Sequence, residues 1–201
     1  MTVSTRGTAE IQNASPGYDS TRVSLELQQD VEQFYYREAR LLDGRQYQTW
    51  LTLCSESIRY VMPARTNPLV DNAERGNEEM ISVDRELEGV ESTGTPIRNE
   101  SYPYLMLRVE RSFKPNAWAE NPPARTRRIV GNIEILGVQD DRLEVTSAFH
   151  LFYSRPGSAN FLYAGQRRDV LLRSETGYRI LDRMIIMDMA DIEFPTLGLF
   201  L

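Results

Sequence analysis

A single histidine, His150, a single cysteine, Cys54, and a single lysine, Lys114, are all that this chain of 201 residues holds of three residue types. Each scarcity excludes something. One thiol cannot close a disulfide within the chain. One thiol and one imidazole cannot supply the pair of Cys and pair of His that a Rieske iron-sulfur centre takes, nor the two His beside a carboxylate that hold an oxygen-activating iron. No Gly-rich phosphate loop, no Gly-x-Ser-x-Gly elbow and no metal-spaced His or Cys cluster stands in the sequence. Apolar runs of membrane-spanning length are missing too, and the opening MTVSTRGTAEIQNASPGYDSTR lacks the apolar core of a secretory signal. The expectation is a cytoplasmic protein with no membrane partner.

The formal charge of −6 argues against a nucleic-acid or other polyanion binder. Of 23 basic residues all but Lys114 are Arg. Genome base composition explains that bias most simply; a second reading is that the planar guanidinium suits buried and interfacial carboxylate pairs better than an ammonium does. The length suffices for one domain burying roughly 70% of its unfolded surface, so no disulfide or structural metal is needed for stability.

Residues 1–22 are rich in Ser, Thr, Gly and Asn and are broken by Pro16 and Gly17, which predicts a flexible N-terminal arm ahead of a single domain over 23–201. From Ser24 the pattern changes. Leu27, Val31, Phe34, Tyr35, Glu38, Leu41 and Leu42 fall on one helical stripe, with Ser24 as N-cap and Gly44 as the C′ residue. A shorter helical pattern over RQYQTWLTLC places Tyr47, Trp50, Leu51 and Cys54 on one side, and these aromatics read as core. Ser57 to Met62 alternates as a first strand and stops at Pro63. Between Ala64 and Asn99 only MISVDREL shows an apolar recurrence, which predicts a long loop. A helix over Pro103 to Arg111 is expected to turn Tyr104 and Leu107 to one side, and NAWAENPPARTRR forms a Pro-broken connector.

The last third reads as antiparallel sheet. The runs are Thr126–Val138, Arg142–Arg155, Phe161–Arg173 and Gly177–Met189, the last two joined by a hairpin loop at 174–177. In the second run Leu143, Val145, Phe149, Leu151 and Tyr153 face one way, with Ala148, His150 and Phe152 facing the other. The strands stand too close in sequence for helical crossovers, so a meander is predicted, and helices followed by strands means an α+β fold. Strands this long must twist strongly and enclose the helices on a concave face.

Few residues carry candidate chemistry. His150 sits mid-strand and reads as a sheet residue, and Cys54 as a buried inert thiol. Arg125, Arg127, Arg128, Arg167 and Arg168 cluster in sequence, but strand alternation splits Arg127 from Arg128, so paired or interfacial arginines are expected rather than a phosphate site. No catalytic, cofactor-binding or metal residue is assigned. Trp118, Arg125, Arg127, Phe200 and Leu201 are the residues expected at an interface, because a Trp near clustered arginines and an apolar tail suit a partner surface.

The strings VSLELQQDVEQFYYREARLLDGRQYQTWLTLCSESIRYVMPART and WAENPPARTRRIVGN, the later RRDVL and the tail Leu199, Phe200 and Leu201 resemble the small, or β, subunit of Rieske-type aromatic ring-hydroxylating dioxygenases. The likeness spans Val23 to Leu201 and is to the biphenyl, toluene and cumene branch. The stretch from Asn67 to Asn99, with its acidic run, and the tail MDMADIEFPTLGLFL depart from that branch. The resemblance implies a cystatin-like or nuclear-transport-factor-like cone. It implies a hetero-hexamer of three large α and three small β subunits, in which the large subunit holds a Rieske [2Fe-2S] cluster and a mononuclear non-heme iron. It implies that a ferredoxin and reductase chain delivers electrons through the large subunit, that the assembly converts aromatic compounds to cis-dihydrodiols, and that the small subunit is mainly structural. The competing reading is a stand-alone isomerase, dehydratase or ligand-binding module of the same fold, in which Tyr35, Asp43, Tyr60 and His150 converge in the cone. What fills the cone decides between them: packing supports a structural subunit, whereas a pocket with a convergent carboxylate or His supports the alternative.

Overall fold

Helix α1 (Leu25–Asp43) begins where Ser24 Oγ accepts the Leu27 N–H at 3.2 Å, the N-cap foreseen in the sequence. Its buried stripe is the predicted one, Glu38 included. Its end differs from expectation. Gly44 is the last residue of near-helical geometry, and the left-handed residue is the next one, Arg45, at φ 55°. The Gln46 N–H returns to the Leu41 carbonyl (2.8 Å) and the Arg45 N–H to that of Leu42 (3.1 Å), closing a Schellman cap. Arg45 tolerates the left-handed geometry because its guanidinium clasps the Ala124 carbonyl at 2.9 and 2.7 Å, tying the cap to the chain entering the sheet. The computed structural model describes residues 17–70, 73, 75–90, 94–117, 120–193, 196 and 198–201.

The second helix, α2 (Tyr47–Leu51), is one turn shorter than its periodicity suggests. Cys54 already belongs to strand β1 (Cys54–Met62), where it pairs with Ile180 and where the Ile180 N–H bonds the Leu53 carbonyl at 2.8 Å. Strand pairing captures the last helical residues because it satisfies their backbone groups inside the core.

The stretch after β1 is less featureless than predicted. Two short strands, β2 (Ala64–Arg65) and β3 (Leu87–Glu88), pair antiparallel, and 3-10 turns occupy Glu78–Ile81 and Val83–Glu86. Strand β4 (Arg98–Ser101) then lies antiparallel to β1 and runs straight into α3 (Tyr102–Arg111), with Pro103 in its first turn. Tyr104 and Leu107 share one side, as expected, and that side faces solvent, while Leu105 and Val109 are buried. The sequence offers apolar residues on both sides of this short helix, so periodicity alone cannot select the inner one.

Strands β5 (Arg125–Gln139), β6 (Arg142–Ser154), β7 (Phe161–Ser174) and β8 (Gly177–Met187) form the predicted meander. The whole sheet runs β4-β1-β8-β7-β6-β5, and β1 meets β8 in parallel, a pairing between distant segments that local pattern did not reveal. Two bulges bend β5. Register passes from Gly131 opposite Ala148 to Glu134 opposite Thr146, and again from Ile135 to Gly137, with Asn132 at φ 48° in the first. At the free edge of β5, Asp19 exchanges two backbone hydrogen bonds of 3.2 Å with Val138. A Cβ at Gly137 would lie 2.6 Å from Tyr18 Cβ, so glycine is what lets this covering segment approach. Residues 1–16 of the expected arm lie outside the described residues. Helix α1 packs across the inner face of β5 and β8, and one apolar core joins both helices of the N-terminal hairpin to the sheet. Among the described residues no helix is long and apolar enough to cross a membrane.

Candidate functional site

The inner face of a cone is where this kind of fold can hold a pocket, and here charge fills it. Alternation on β7 turns Arg167 and Asp169 inward, β8 contributes Arg183 opposite Asp169, and α1 lowers Glu38 and Tyr35 onto them. All five are buried, as is Trp50 of α2. The Arg183 guanidinium donates to Asp169 Oδ1 and Oδ2 at 3.0 and 2.8 Å, and to Glu38 Oε1 and Oε2 at 2.6 and 3.0 Å. Glu38 also accepts from Trp50 Nε1 at 3.0 Å and from Arg167 Nη1 at 3.2 Å. Asp169 Oδ2 accepts a hydrogen bond from the Tyr35 hydroxyl at 2.7 Å. Two arginines therefore face two carboxylates, and each carboxylate oxygen has at least one donor.

Burial by itself would raise the Glu38 pKa, but Arg183 and Arg167, with their hydrogen bonds, bring it down to about 2. Burial works against the Arg183 charge, yet Asp169 and Glu38 hold its pKa well above the ordinary value. Burial and then the repulsion of Arg183 lower that of Arg167, whose guanidinium lies 5.1 Å from the centre of the Phe149 ring. Burial and the Asp169 charge push the Tyr35 hydroxyl well up. Every oxygen of Glu38 and Asp169 is committed to donors of this chain, so neither carboxylate is presented to a substrate as a general base. The larger surface hollows among the described residues are lined by other side chains.

The four residues offered as a convergent acid-base set do not meet. Tyr35 serves Asp169; Tyr60 donates to the Leu201 carbonyl at 2.7 Å; Asp43 accepts from Thr126 Oγ1 and the Arg128 N–H at 3.0 and 2.8 Å and pairs with the Arg128 side chain; His150 points outward. Burial, followed by the Glu38 charge, pushes the Cys54 thiol up to about 12, which keeps it protonated and a poor ligand. A thiol buried in the core and an imidazole on the outer face cannot share a metal, and the sequence offers no second of either. The donor set does not fit a Rieske cluster or a mononuclear iron.

The expected interface residues divide. Trp118 lies outside the described residues. Arg125 and Arg127 stand exposed at the start of β5, while Arg128 between Arg127 and Ile129 turns inward. Phe200 and Leu201 are instead drawn into this chain's own core. The Phe200 ring lies 4.5 Å from that of Trp50, Arg108 stacks over it at 4.3 Å, and Arg128 and Arg108 donate to the tail carbonyls of Phe200 and Leu199. Apolar tail residues satisfy either role, and Trp50 supplied an inner partner.

Sequence reasoning missed what lies outside the sheet. Leu162, Phe152 and Arg127 stand in one cross-strand row, and Ala164, His150 and Ile129 in the next. Ile129 is 69% exposed, Leu162 59% and Phe152 44%. Leu162 and Phe152 side by side, Ile129 diagonal to them in the next row, and Arg127 and Arg125 at the margin form a patch of the kind that marks a contact surface. The signal was present in the alternation that put His150 and Phe152 opposite the core-facing residues.

A family described as the ring hydroxylating beta subunit matches residues 37–193. Benzene 1,2-dioxygenase subunit beta of Pseudomonas putida is 35% identical over 181 residues, spanning 89% of this chain and 90% of that protein. Biphenyl 2,3-dioxygenase subunit beta of Rhodococcus jostii is 32% identical over 181 residues, with the same shares. Among solved structures, a chain of naphthalene 1,2-dioxygenase with indole bound in the active site superimposes with a TM-score of 0.73 at 22% identity, covering 92% of this chain and 90% of that one.

Proposed function

The chain belongs to the ring-hydroxylating beta-subunit family, and from that premise we propose that it is the small, structural subunit of an aromatic ring-hydroxylating dioxygenase. The observation that carries the reading is the contrast between the interior, where every oxygen of Glu38 and Asp169 accepts from a donor within the chain, and the exposed apolar patch of Ile129, Phe152 and Leu162 on the sheet exterior. Among the described residues the inner face of the sheet around Arg183 is filled by side chains and leaves no chamber there, while the sheet exterior offers a surface for a partner.

In the proposed assembly, three large and three small subunits combine in the cytoplasm. The large subunit holds the Rieske cluster and the mononuclear iron, receives electrons from a ferredoxin and its reductase, and inserts both atoms of dioxygen into an aromatic ring to give a cis-dihydrodiol. This chain's part is to bury surface against the large subunit and so stabilise it by mass action. Arg125 and Arg127, with Ile129, Phe152 and Leu162, are the proposed contact residues. A stand-alone isomerase or dehydratase of the same fold would need titratable groups open to a pocket, and Tyr35, Asp43, Tyr60 and His150 are each engaged or placed elsewhere.

Co-expression with a candidate large subunit, followed by sizing and iron analysis of the two chains separately and together, tests the reading. Iron and dihydrodiol formation are expected in the complex. Iron bound and substrate turned over by this chain alone would overturn it.

A further inference from the structure

Along the inner face of β6, Leu143, Val145, Phe149, Leu151 and Tyr153 are bulky, and Ser147 in their midst is small, polar and 2% exposed. Directly opposite it on β7 stands Arg167, 1% exposed. Ser147 Oγ and Arg167 Nε are both buried without a hydrogen-bond partner among the described residues, and they do not bond each other. A buried polar group in that condition lowers stability, and two of them on opposed residues of one ladder share a single remedy.

The course of the Arg167 side chain shows where the remedy fits. Its guanidinium carbon lies 5.1 Å from the centre of the Phe149 ring, and Phe149 stands opposite Gly165, in the next row of the ladder. Nη1 continues to Glu38 on α1. A short inward side chain thus stands beside a long one that turns to the neighbouring row, an arrangement that suits a small occupant between the two polar atoms. That occupant must accept from Nε, which only donates, and it can give or take a hydrogen bond at the serine hydroxyl. Water and a halide ion both qualify. Charge decides between them: Arg167 and Arg183 already face Glu38 and Asp169, so an anion would add an unbalanced charge to the interior, whereas water adds none.

We propose that one buried water molecule bridges Arg167 Nε and Ser147 Oγ between β7 and β6. It accepts the Nε–H and exchanges a hydrogen bond with the hydroxyl, as buried waters do between polar groups that cannot reach each other. The ion network of α1, β7 and β8 then continues by hydrogen bonds into β6, and Ser147 is the residue through which that strand joins it.

Diffraction from crystals of the full chain grown in bromide, with data also collected at the bromine absorption edge, tests the bridge. The expected result is a density peak roughly 2.7–3.2 Å from both atoms, without anomalous signal. An anomalous peak there, a direct bond between Ser147 Oγ and Arg167 Nε, or no peak at all overturns the proposal. Ser147→Ala supplies a test of sign in solution and adds no bulk to the core. Deleting a hydroxyl that bonds a bridging water should lower the folding equilibrium constant about fivefold, measured by denaturant unfolding, whereas deleting an unpartnered one should raise it. An Ala variant as stable as wild type, or more so, overturns the bridge. Both measurements use this chain alone, so their outcome is separate from that of co-expression with the large subunit.

Discussion

The two faces of one set of strands, β5 to β8, break the usual division in opposite senses. Inside, Arg167, Asp169 and Arg183 meet Glu38 with almost no exposure; outside, Ile129, Phe152 and Leu162 face water. A carboxylate in an apolar interior is tolerable only when neutralised and fully hydrogen-bonded, and an apolar row on a surface is tolerable only when something covers it. The inner face has found its complement within the chain. The outer face has not, among the described residues, and the proposed contact surface lies there.

The comparison can be broken most violently from inside. Arg183→Met removes a group that bonds both Glu38 and Asp169, leaving buried negative charge, and should cost about 3–5 kcal/mol in denaturant unfolding of the isolated chain. A loss below about 1 kcal/mol would mean that water reaches the network. Acid acts on the same group. The folded pKa of Glu38 is near 2 against an ordinary value of 4.5, so between these values the unfolded chain binds more protons. Stability from this group is whole above about pH 5 and should decline as pH falls through that window, by an amount on the order of 3 kcal/mol. Unfolding curves collected across that range in wild type and Glu38→Gln should show the decline in the first and a much flatter profile in the second. A gentler cut is Tyr35→Phe, which deletes only the hydroxyl that bonds Asp169 and should cost about 2 kcal/mol by the same measurement. The outer face sharpens the contrast by doing little. Phe152→Ser should move the stability of the isolated chain by no more than about 0.5 kcal/mol. Its effect should appear instead as loss of co-purification with the large subunit.

The legibility of these features in sequence follows their range. Helix α1 could be read from Ser24 to its last turn because capping and periodicity are local, and its stripe even exposed the anomaly of Glu38, a charge on a buried face that demanded a cation somewhere. Which cation was not readable, since Arg183 lies 145 positions away. Gly44 illustrates a local signal overruled by a distant one. The expected left-handed glycine gave way to Arg45 because the carbonyl of Ala124 rewards that side chain. The meander was legible because its hairpins connect neighbours in sequence, whereas the β1 and β8 partnership and the short strand β4 depend on contacts that no local window contains.

The parallel ladder between β1 and β8 has a consequence for biosynthesis. While the chain emerges from the ribosome, β1 has β4 on one flank and nothing on the other until the final hairpin is made. Closing so wide a loop is slow, and an unzipped strand bearing Ile58, Tyr60 and Met62 invites pairing with a neighbouring nascent chain. Translation must therefore pass β8 before this subunit can seal its middle, and termination ahead of that strand would release a sticky fragment rather than a smaller folded one.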